Sequence, residues 1–232
     1  MTTTILTDEP QAVPARAAHI AIGAIVTYQL LLVALIFLRP DLDPSWHTIS
    51  EWAIGRYGWL MSFAFFSSAV GYAALFLTLR SELHGRLGRS GLVALLICVI
   101  GATGVSLFTT DPMPLRPPLS VRGTLHVVFG TTQLLLLPFA ALLINVSLLR
   151  NRRWAAARHA LAWTAGLPLF GFAAFVVYSA VFVAPHGRDA YGPGVNIGWP
   201  PRFALFTYMI WVVTLAGQAM QMQRSSRSTV GL

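Results

Sequence analysis

The sequence predicts an all-α polytopic membrane protein with six transmembrane helices and a short interfacial helix near residues 44–55. Apolar residues make up 56% of the 232-residue chain and charged residues only 10%, whereas soluble domains carry roughly a quarter charged residues. Apolar windows of about 20 residues, enough to cross roughly 30 Å of hydrocarbon, recur along the chain. A bilayer is therefore the solvent to which this composition is suited.

The apolar windows set the order of the spans. We place them at 18–38, 57–79, 90–109, 121–148, 159–184 and 201–221. No internal repeat is visible, so residues 18–221 are expected to form one transmembrane domain and the polar segments 1–17 and 222–232 to be mobile cytoplasmic tails. Asp8 and Glu9 argue against a cleaved secretory signal, so the first span should stay in the mature protein.

The basic residues predict the orientation and exclude one class of partner. All 16 are arginines, and most of them fall in segments that face the cytoplasm if both termini lie inside, as the positive-inside rule favours. They are scattered through short loops, so nucleic acid is not an expected partner despite the net charge of +8. The single cysteine, Cys98, allows no intramolecular disulfide.

The first outer loop, RPDLDPSWHTISEWAIGRYGWLM, predicts the short interfacial helix. Asp43 fits its N-cap and Pro44 its first helical position, and His47, Ser50 and Glu51 then share one face. One interpretation is an amphipathic lid held in the aromatic belt of the membrane. The other keeps this geometry and makes Glu51 or His47 a proton-transfer group. The tryptophans of this stretch are Trp46, Trp52 and Trp59.

Two further polar side chains lie on glycine-bearing stripes of the third and fourth spans. The third span ends in GATGVSLFTTDP, where Asp111 either caps a turn, pairs with an arginine or takes part in chemistry. The fourth span begins SVRGTLHVVFGTTQ, and one stripe of it carries Gly123, His126, Gly130 and Gln133. A lipid-facing imidazole would lack a hydrogen-bond partner, so His126 should point into the bundle. There it makes an interhelical hydrogen bond or serves as an acid, base or ligand.

Arg202 opens the sixth span, after the Gly- and Pro-rich loop PHGRDAYGPGVNIGWPPR. Two roles are open: an ion pair with Asp111 or Glu51, or a hold on a phosphate or carboxylate head group. Some side chains suit zinc by type but lack HxxxH, HExxH or CxxC spacing, so we expect no metal and no cofactor. The residues in question are His47, Asp111, His126 and His186. The serine-hydrolase motif GxSxG is also absent.

Four motifs together resemble the domain of unknown function 998 family, bacterial integral membrane proteins with six helices. They are HTISEWAIGRYGWLM after the first span, FTTDP closing the third, SVRGTLH opening the fourth and GWPPRF opening the sixth. The resemblance covers about 20–221 and implies a location in the bacterial cytoplasmic (inner) membrane, without an established reaction. By motif position it implies importance for Ser50, Asp111, Gly123, His126 and Arg202.

These observations predict a membrane-embedded enzyme that acts on a lipidic or isoprenoid substrate in an outward-facing pocket. Acid/base groups beside aromatic walls suit proton-initiated polyene cyclisation, because an apolar wall keeps a carboxylic acid protonated and aromatic faces stabilise cations. The predicted catalytic residues are Asp111, Glu51, His126 and His47. The predicted substrate-binding residues are Arg202, Ser50, Trp46, Trp52, Trp59, Tyr178, Trp199 and Gln133.

Two alternatives stay open at this point. One is a non-catalytic lipid-binding or transport protein in which Arg202 and His126 hold a head group, and the other is a metal-dependent lipid hydrolase. In each case the expected partner is a membrane lipid or a lipidic small molecule. The sequence specifies neither the substrate nor the oligomeric state.

Overall fold

The computed structural model describes residues 15–189 and 191–230, and in this part of the chain the fold is a bundle of six long helices without strands. Each helix is long and apolar enough to cross a membrane, which confirms the predicted all-α, six-span architecture. The helices are α1 (Ala15–Leu38), α2 (Gly58–Leu79), α3 (Gly85–Leu107), α4 (Val121–Leu149), α5 (Arg158–Tyr178) and α6 (Trp199–Val230).

The helix ends lie within five residues of the predicted spans, except at the C-terminal ends of α5 and α6. Helix α5 continues into a π-helical turn at Ser179–Val183 and a 3₁₀ segment at Ala184–Asp189. Helix α6 runs on to Val230, past the domain boundary that we placed at residue 221. The N-terminal tail predicted at 1–17 lies mostly outside the described residues, and the cytoplasmic placement of both termini stays a prediction.

The helices form a closed ring. Each helix packs against the next along the chain, and α6 returns to pack against α1. The approach of α3 to α4 is close because glycines replace larger side chains: a Cβ on Gly91 would meet Ile144, one on Gly101 would meet Gln133, and one on Gly104 would collide with the Phe129 ring. Small residues of this kind allow helices to pack tightly where lipid supplies no hydrophobic driving force.

Asn145 joins three helices inside the bundle. Its side chain is fully buried, and its Nδ2 donates to the Leu161 carbonyl at 2.9 Å and to Thr164 Oγ1 at 3.2 Å on α5. Its Oδ1 accepts from Trp211 Nε1 on α6 at 2.8 Å. One amide thus links α4, α5 and α6 inside the bundle, where buried polar groups of a membrane protein need protein partners.

The helical part of the segment between α1 and α2 is shorter than the helix predicted near residues 44–55. A turn follows Asp43, whose Oδ1 accepts from the Ser45 N–H at 2.8 Å, and a 3₁₀ helix then covers Ile49–Ala53. Trp52 is buried, and its Nε1 donates to the Leu35 carbonyl at the end of α1. His47 and Glu51 of the predicted polar face are buried, and so is Ile49 on another side of the segment. The segment therefore packs into the end of the bundle and does not lie across it as an amphipathic lid.

Candidate functional site

A serine and a histidine that are 76 residues apart in the chain meet at the end of the bundle that carries the segment between α1 and α2. His126 on α4 lies only 5% exposed, and its Nε2 is 2.9 Å from the Ser50 Oγ of the 3₁₀ helix. Its Nδ1 is 2.6 Å from the Phe108 carbonyl, just after the end of α3. The prediction that His126 points into the bundle agrees with this position.

The Phe108 carbonyl determines the tautomer of the imidazole. A carbonyl oxygen can only accept, so His126 Nδ1 must carry the proton of that hydrogen bond. In the neutral ring Nε2 then has a free lone pair, and the Ser50 hydroxyl donates to it. This is the arrangement of a nucleophile, its general base and a group that orients the base.

The pair lies on the wall of a cavity of 360 Å³ between the 3₁₀ helix, the loop after α3, and helices α2 to α6. Most of the lining is apolar, and its larger side chains include Phe65, Val105, Leu134, Phe175 and Leu205. The walls thus suit a lipidic occupant more closely than a polar metabolite.

Gln133 also lines this cavity, and its amide is incompletely paired. The residue is 8% exposed, and its Oε1 is buried without a hydrogen-bond partner among the described residues. It follows His126 by seven residues on the same helix, which places it about 10 Å deeper in the bundle. A buried amide left in this state calls for a partner that protein groups do not supply.

Glu51 and His47 lie next to this cavity but do not line it. Glu51 Oε1 accepts from the Thr48 N–H at 2.5 Å and from Thr48 Oγ1 at 3.0 Å, and Oε2 accepts from the Tyr191 hydroxyl. The His47 ring lies against Trp46 with centroids 3.7 Å apart. Both predicted proton-transfer groups are thus part of a packed cluster at the mouth of the bundle.

Tyr191 has a perturbed acidity in this cluster. Burial raises the pKa of its phenol, and the hydrogen bond and negative charge of Glu51 raise it further, since both disfavour the phenolate. No sequence motif pointed to Tyr191, because the irregular loop after α5 gives no periodicity from which to infer contacts.

Asp111 closes the loop between α3 and α4. Its carboxylate accepts from the Ser120 N–H at 2.8 Å and from Ser120 Oγ at 2.5 Å, and Ser120 in turn caps α4 by accepting from the Gly123 N–H at 2.9 Å. A Cβ on Gly123 would collide with the Asp111 carboxylate. The turn-capping role considered for Asp111 accounts for these contacts. Glycine is needed at position 123 because the Asp111 carboxylate occupies the space that a side chain there would take.

Arg202 makes no ion pair with Asp111 or Glu51, contrary to one of its two predicted roles. Its Nη1 donates to the carbonyls of Pro44, His47 and Gly198 at 2.7–3.0 Å. The carboxylates are engaged elsewhere, and the guanidinium instead lies over the Trp52 ring at 4.5 Å from its centroid. Trp52, Trp199 and Arg202 line a second cavity of 440 Å³ on the far side of α6.

Two predicted aromatic binding residues lie elsewhere. Trp59 is 69% exposed on the outer surface of α2, and Tyr178 packs against Phe182 near the end of α5. In the described part of the chain, no three His, Cys, Asp or Glu side chains come together in a group that could hold a metal. The candidates His47, Asp111, His126 and His186 therefore do not come together as a ligand set.

Comparison with known proteins gives one match. A family model described as "Protein of unknown function (DUF998)" matches residues 21–218. No curated protein and no solved structure matches the chain.

Proposed function

The chain belongs to the family described as "Protein of unknown function (DUF998)", and we propose that it is a membrane-embedded acyl hydrolase or acyltransferase acting on a lipidic ester. Ser50 is the nucleophile and His126 its general base. The observation that carries this proposal is the 2.9 Å hydrogen bond from Ser50 Oγ to His126 Nε2, made on the wall of a largely apolar cavity.

The reaction follows from the tautomer of His126. Ser50 Oγ attacks the carbonyl carbon of the ester while its proton passes to His126 Nε2, and the imidazolium then gives that proton to the departing alkoxide oxygen. This step leaves an acyl group on Ser50 Oγ and releases an alcohol. Water or a second alcohol next loses a proton to Nε2 as its oxygen attacks the acyl carbon, and the returning proton restores Ser50.

The cavity supports a substrate with a long apolar chain. Below the reacting pair, the walls are formed by aliphatic and aromatic side chains, which stabilise a chain by burying its surface. Gln133 lies about 10 Å deeper and has an unpaired amide oxygen. A hydroxyl or amide N–H at the corresponding depth of the substrate would satisfy that oxygen.

The positions of Asp111 and Glu51 do not favour the polyene cyclisation considered from the sequence. Cyclisation of a polyene by proton transfer needs a carboxylic acid that donates into an apolar cavity. Asp111 and Glu51 each accept hydrogen bonds from N–H and O–H groups, and neither lines the cavity that holds His126. We therefore base the proposal on Ser50 and His126 and not on an acid-initiated cyclisation.

A long-chain alkyl fluorophosphonate tests the proposal, because it phosphonylates only a serine that a base activates. We expect mass spectrometry of the purified protein in lipid nanodiscs to place the label on Ser50, and a p-nitrophenyl ester of a long-chain acid to be cleaved. Ser50→Ala should abolish both signals, and His126→Gln should slow them by roughly 10²- to 10⁴-fold. Ser179→Ala is the matched control, since Ser179 lines the same cavity without a histidine partner among its described contacts.

Equal labelling of wild type and Ser50→Ala would contradict the assignment of the nucleophile. A protein that binds a long-chain ester, returns it unchanged in mass and takes up no label would be the lipid-binding protein considered as an alternative. Thermal unfolding of each variant must match wild type within a few degrees for its loss of activity to count.

A further inference from the structure

We propose that the second cavity, which forms a groove between α1 and α6, binds an anionic phospholipid whose phosphate contacts Arg202. The groove measures 440 Å³ and lies apart from the cavity of Ser50 and His126. Its walls are largely apolar, and the polar side chains that line it are Arg202, at one end, and Gln29 of α1. A single positive charge at one end of an apolar groove matches a phosphate followed by an acyl chain.

The charge of Arg202 is oriented by its protein contacts but not neutralised. Its Nη1 donates hydrogen bonds to three main-chain carbonyls. Among the described residues, no carboxylate lies within ion-pair distance of the guanidinium. Gly198 makes this arrangement possible, because a Cβ there would lie 2.8 Å from Nη1. The remaining N–H groups of the guanidinium are thus left for a ligand.

The surroundings of the guanidinium favour an anion. Arg202 lies over the Trp52 ring at 4.5 Å and beside the Trp199 ring at 5.9 Å, so aromatic faces and carbonyls replace much of its water. An unpaired, partly buried guanidinium in a membrane protein is costly in free energy. A phosphate oxygen that accepts a hydrogen bond from it removes most of that cost. The acidic residues of the loop between α1 and α2 are engaged elsewhere: Glu51 by Thr48 and Tyr191, Asp41 by Arg39, and Asp43 by the Ser45 N–H.

The apolar part of the groove opens toward the bilayer. Val33 and Phe206 line it and are 51% and 52% exposed, so an acyl chain can lie between them without leaving the membrane. Leu32 and Ile36 of α1 and Phe203 of α6 also line the groove. A lipid is thus the occupant that fits both ends of the groove.

The groove and the cavity are on opposite sides of α6. Pro201 and Leu205 face the cavity, whereas Arg202, Phe203 and Phe206 face the groove, as expected for residues spaced around one helix. Ile49 lines both and forms the wall between them. Lipid binding on Arg202 therefore does not depend on the proposed chemistry at Ser50.

Native mass spectrometry tests this proposal on the intact protein. We expect phosphatidylglycerol to be retained about tenfold more than phosphatidylcholine with the same acyl chains, because the choline ammonium of phosphatidylcholine offsets the phosphate charge that Arg202 attracts. Arg202→Gln should reduce that ratio to about one. Arg56→Gln is the matched control, because Arg56 is an exposed arginine at the same end of the bundle, and it should leave the ratio unchanged.

A second variant keeps the test informative if Arg202→Gln fails to fold. Val33→Trp fills the groove and leaves Arg202 in place, and it should also abolish the preference. Equal retention of the two lipids by wild type, or an undiminished preference in Val33→Trp, would overturn the proposal. Displacement of phosphatidylglycerol by millimolar inorganic phosphate would assign the site to a free anion and overturn its assignment to a lipid.

Discussion

Replacement of Asn145 by leucine should destabilise the bundle by about 2 to 3 kcal/mol. The side chain makes three hydrogen bonds between helices, and such bonds in membrane proteins contribute about 0.6 kcal/mol each on average. Leucine has the same branched arrangement of side-chain heavy atoms as asparagine but is larger, so the substitution opens no cavity. The loss of the bonds therefore sets the lower end of this value, and overpacking adds to it. The N–H of Trp211 would remain buried without its acceptor, which adds about 1 kcal/mol or more.

The measurement is the free energy of unfolding in mixed micelles or nanodiscs, followed through helix content. Thr132→Val is the matched control, because the Thr132 hydroxyl is hydrogen bonded only within its own helix, to the Val128 carbonyl, and this variant should change stability by less than about 0.5 kcal/mol. The double variant Asn145→Leu with Trp211→Phe removes the unpaired N–H and should lose less than the sum of the two single variants.

A loss below about 0.5 kcal/mol for Asn145→Leu would refute the reasoning that a buried amide holds the three helices together. Additive losses in the double variant would refute the smaller claim that the orphaned indole N–H contributes to the cost. Both results would mean that close packing alone positions α4 against α5 and α6.

Three further predictions concern the site and its surroundings. Gly104→Ala should cost about 1 to 3 kcal/mol of unfolding free energy in the same assay, because its Cβ would overlap the Phe129 ring and force α3 from α4. Glu51→Gln should lower the pKa of Tyr191 toward its ordinary value of about 10 without reaching it, since burial remains. Ultraviolet titration against Tyr191→Phe checks this, and an unchanged pKa would contradict it. Trp59→Phe should leave ester cleavage unchanged, because Trp59 points away from both cavities.

The direction of the Tyr191 effect on stability follows from its raised pKa. A phenol whose pKa is higher in the folded than in the unfolded chain contributes stability that is fully present below about pH 10 and is lost as the pH rises through the folded value. Wild type should therefore lose stability in strong alkali more steeply than Tyr191→Phe. Equal slopes of unfolding free energy against pH above 10 would contradict this.

The helices were predictable from the sequence because hydropathy reports directly on burial in lipid. The inward direction of His126 was predictable for the same reason, since an imidazole cannot be satisfied by acyl chains. The partners of these helices were not predictable. The group that orients His126 is the main-chain carbonyl of Phe108, and every residue has such a carbonyl, so no side-chain pattern marks it.

The roles of the charged loop residues were harder to assign. Asp111 and Arg202 are both close to the mouth, and opposite charges suggested an ion pair. The structure instead engages Asp111 with Ser120 and Arg202 with carbonyls of two separate loops. Such choices depend on how short irregular segments fold, and proline- and glycine-rich loops carry little periodic information about that.

The orienting carbonyl of Phe108 has a consequence for the electrostatics of a site within a membrane. Hydrolases in water usually place a carboxylate behind the histidine, which keeps a permanent negative charge beside it. Here the resting serine, imidazole and carbonyl are all neutral, so the assembly carries no ion into a medium of low dielectric constant. In the proposed reaction, the imidazolium formed during attack would lack a fixed counter-ion, so activated esters and thioesters, whose leaving groups need little protonation, should react fastest.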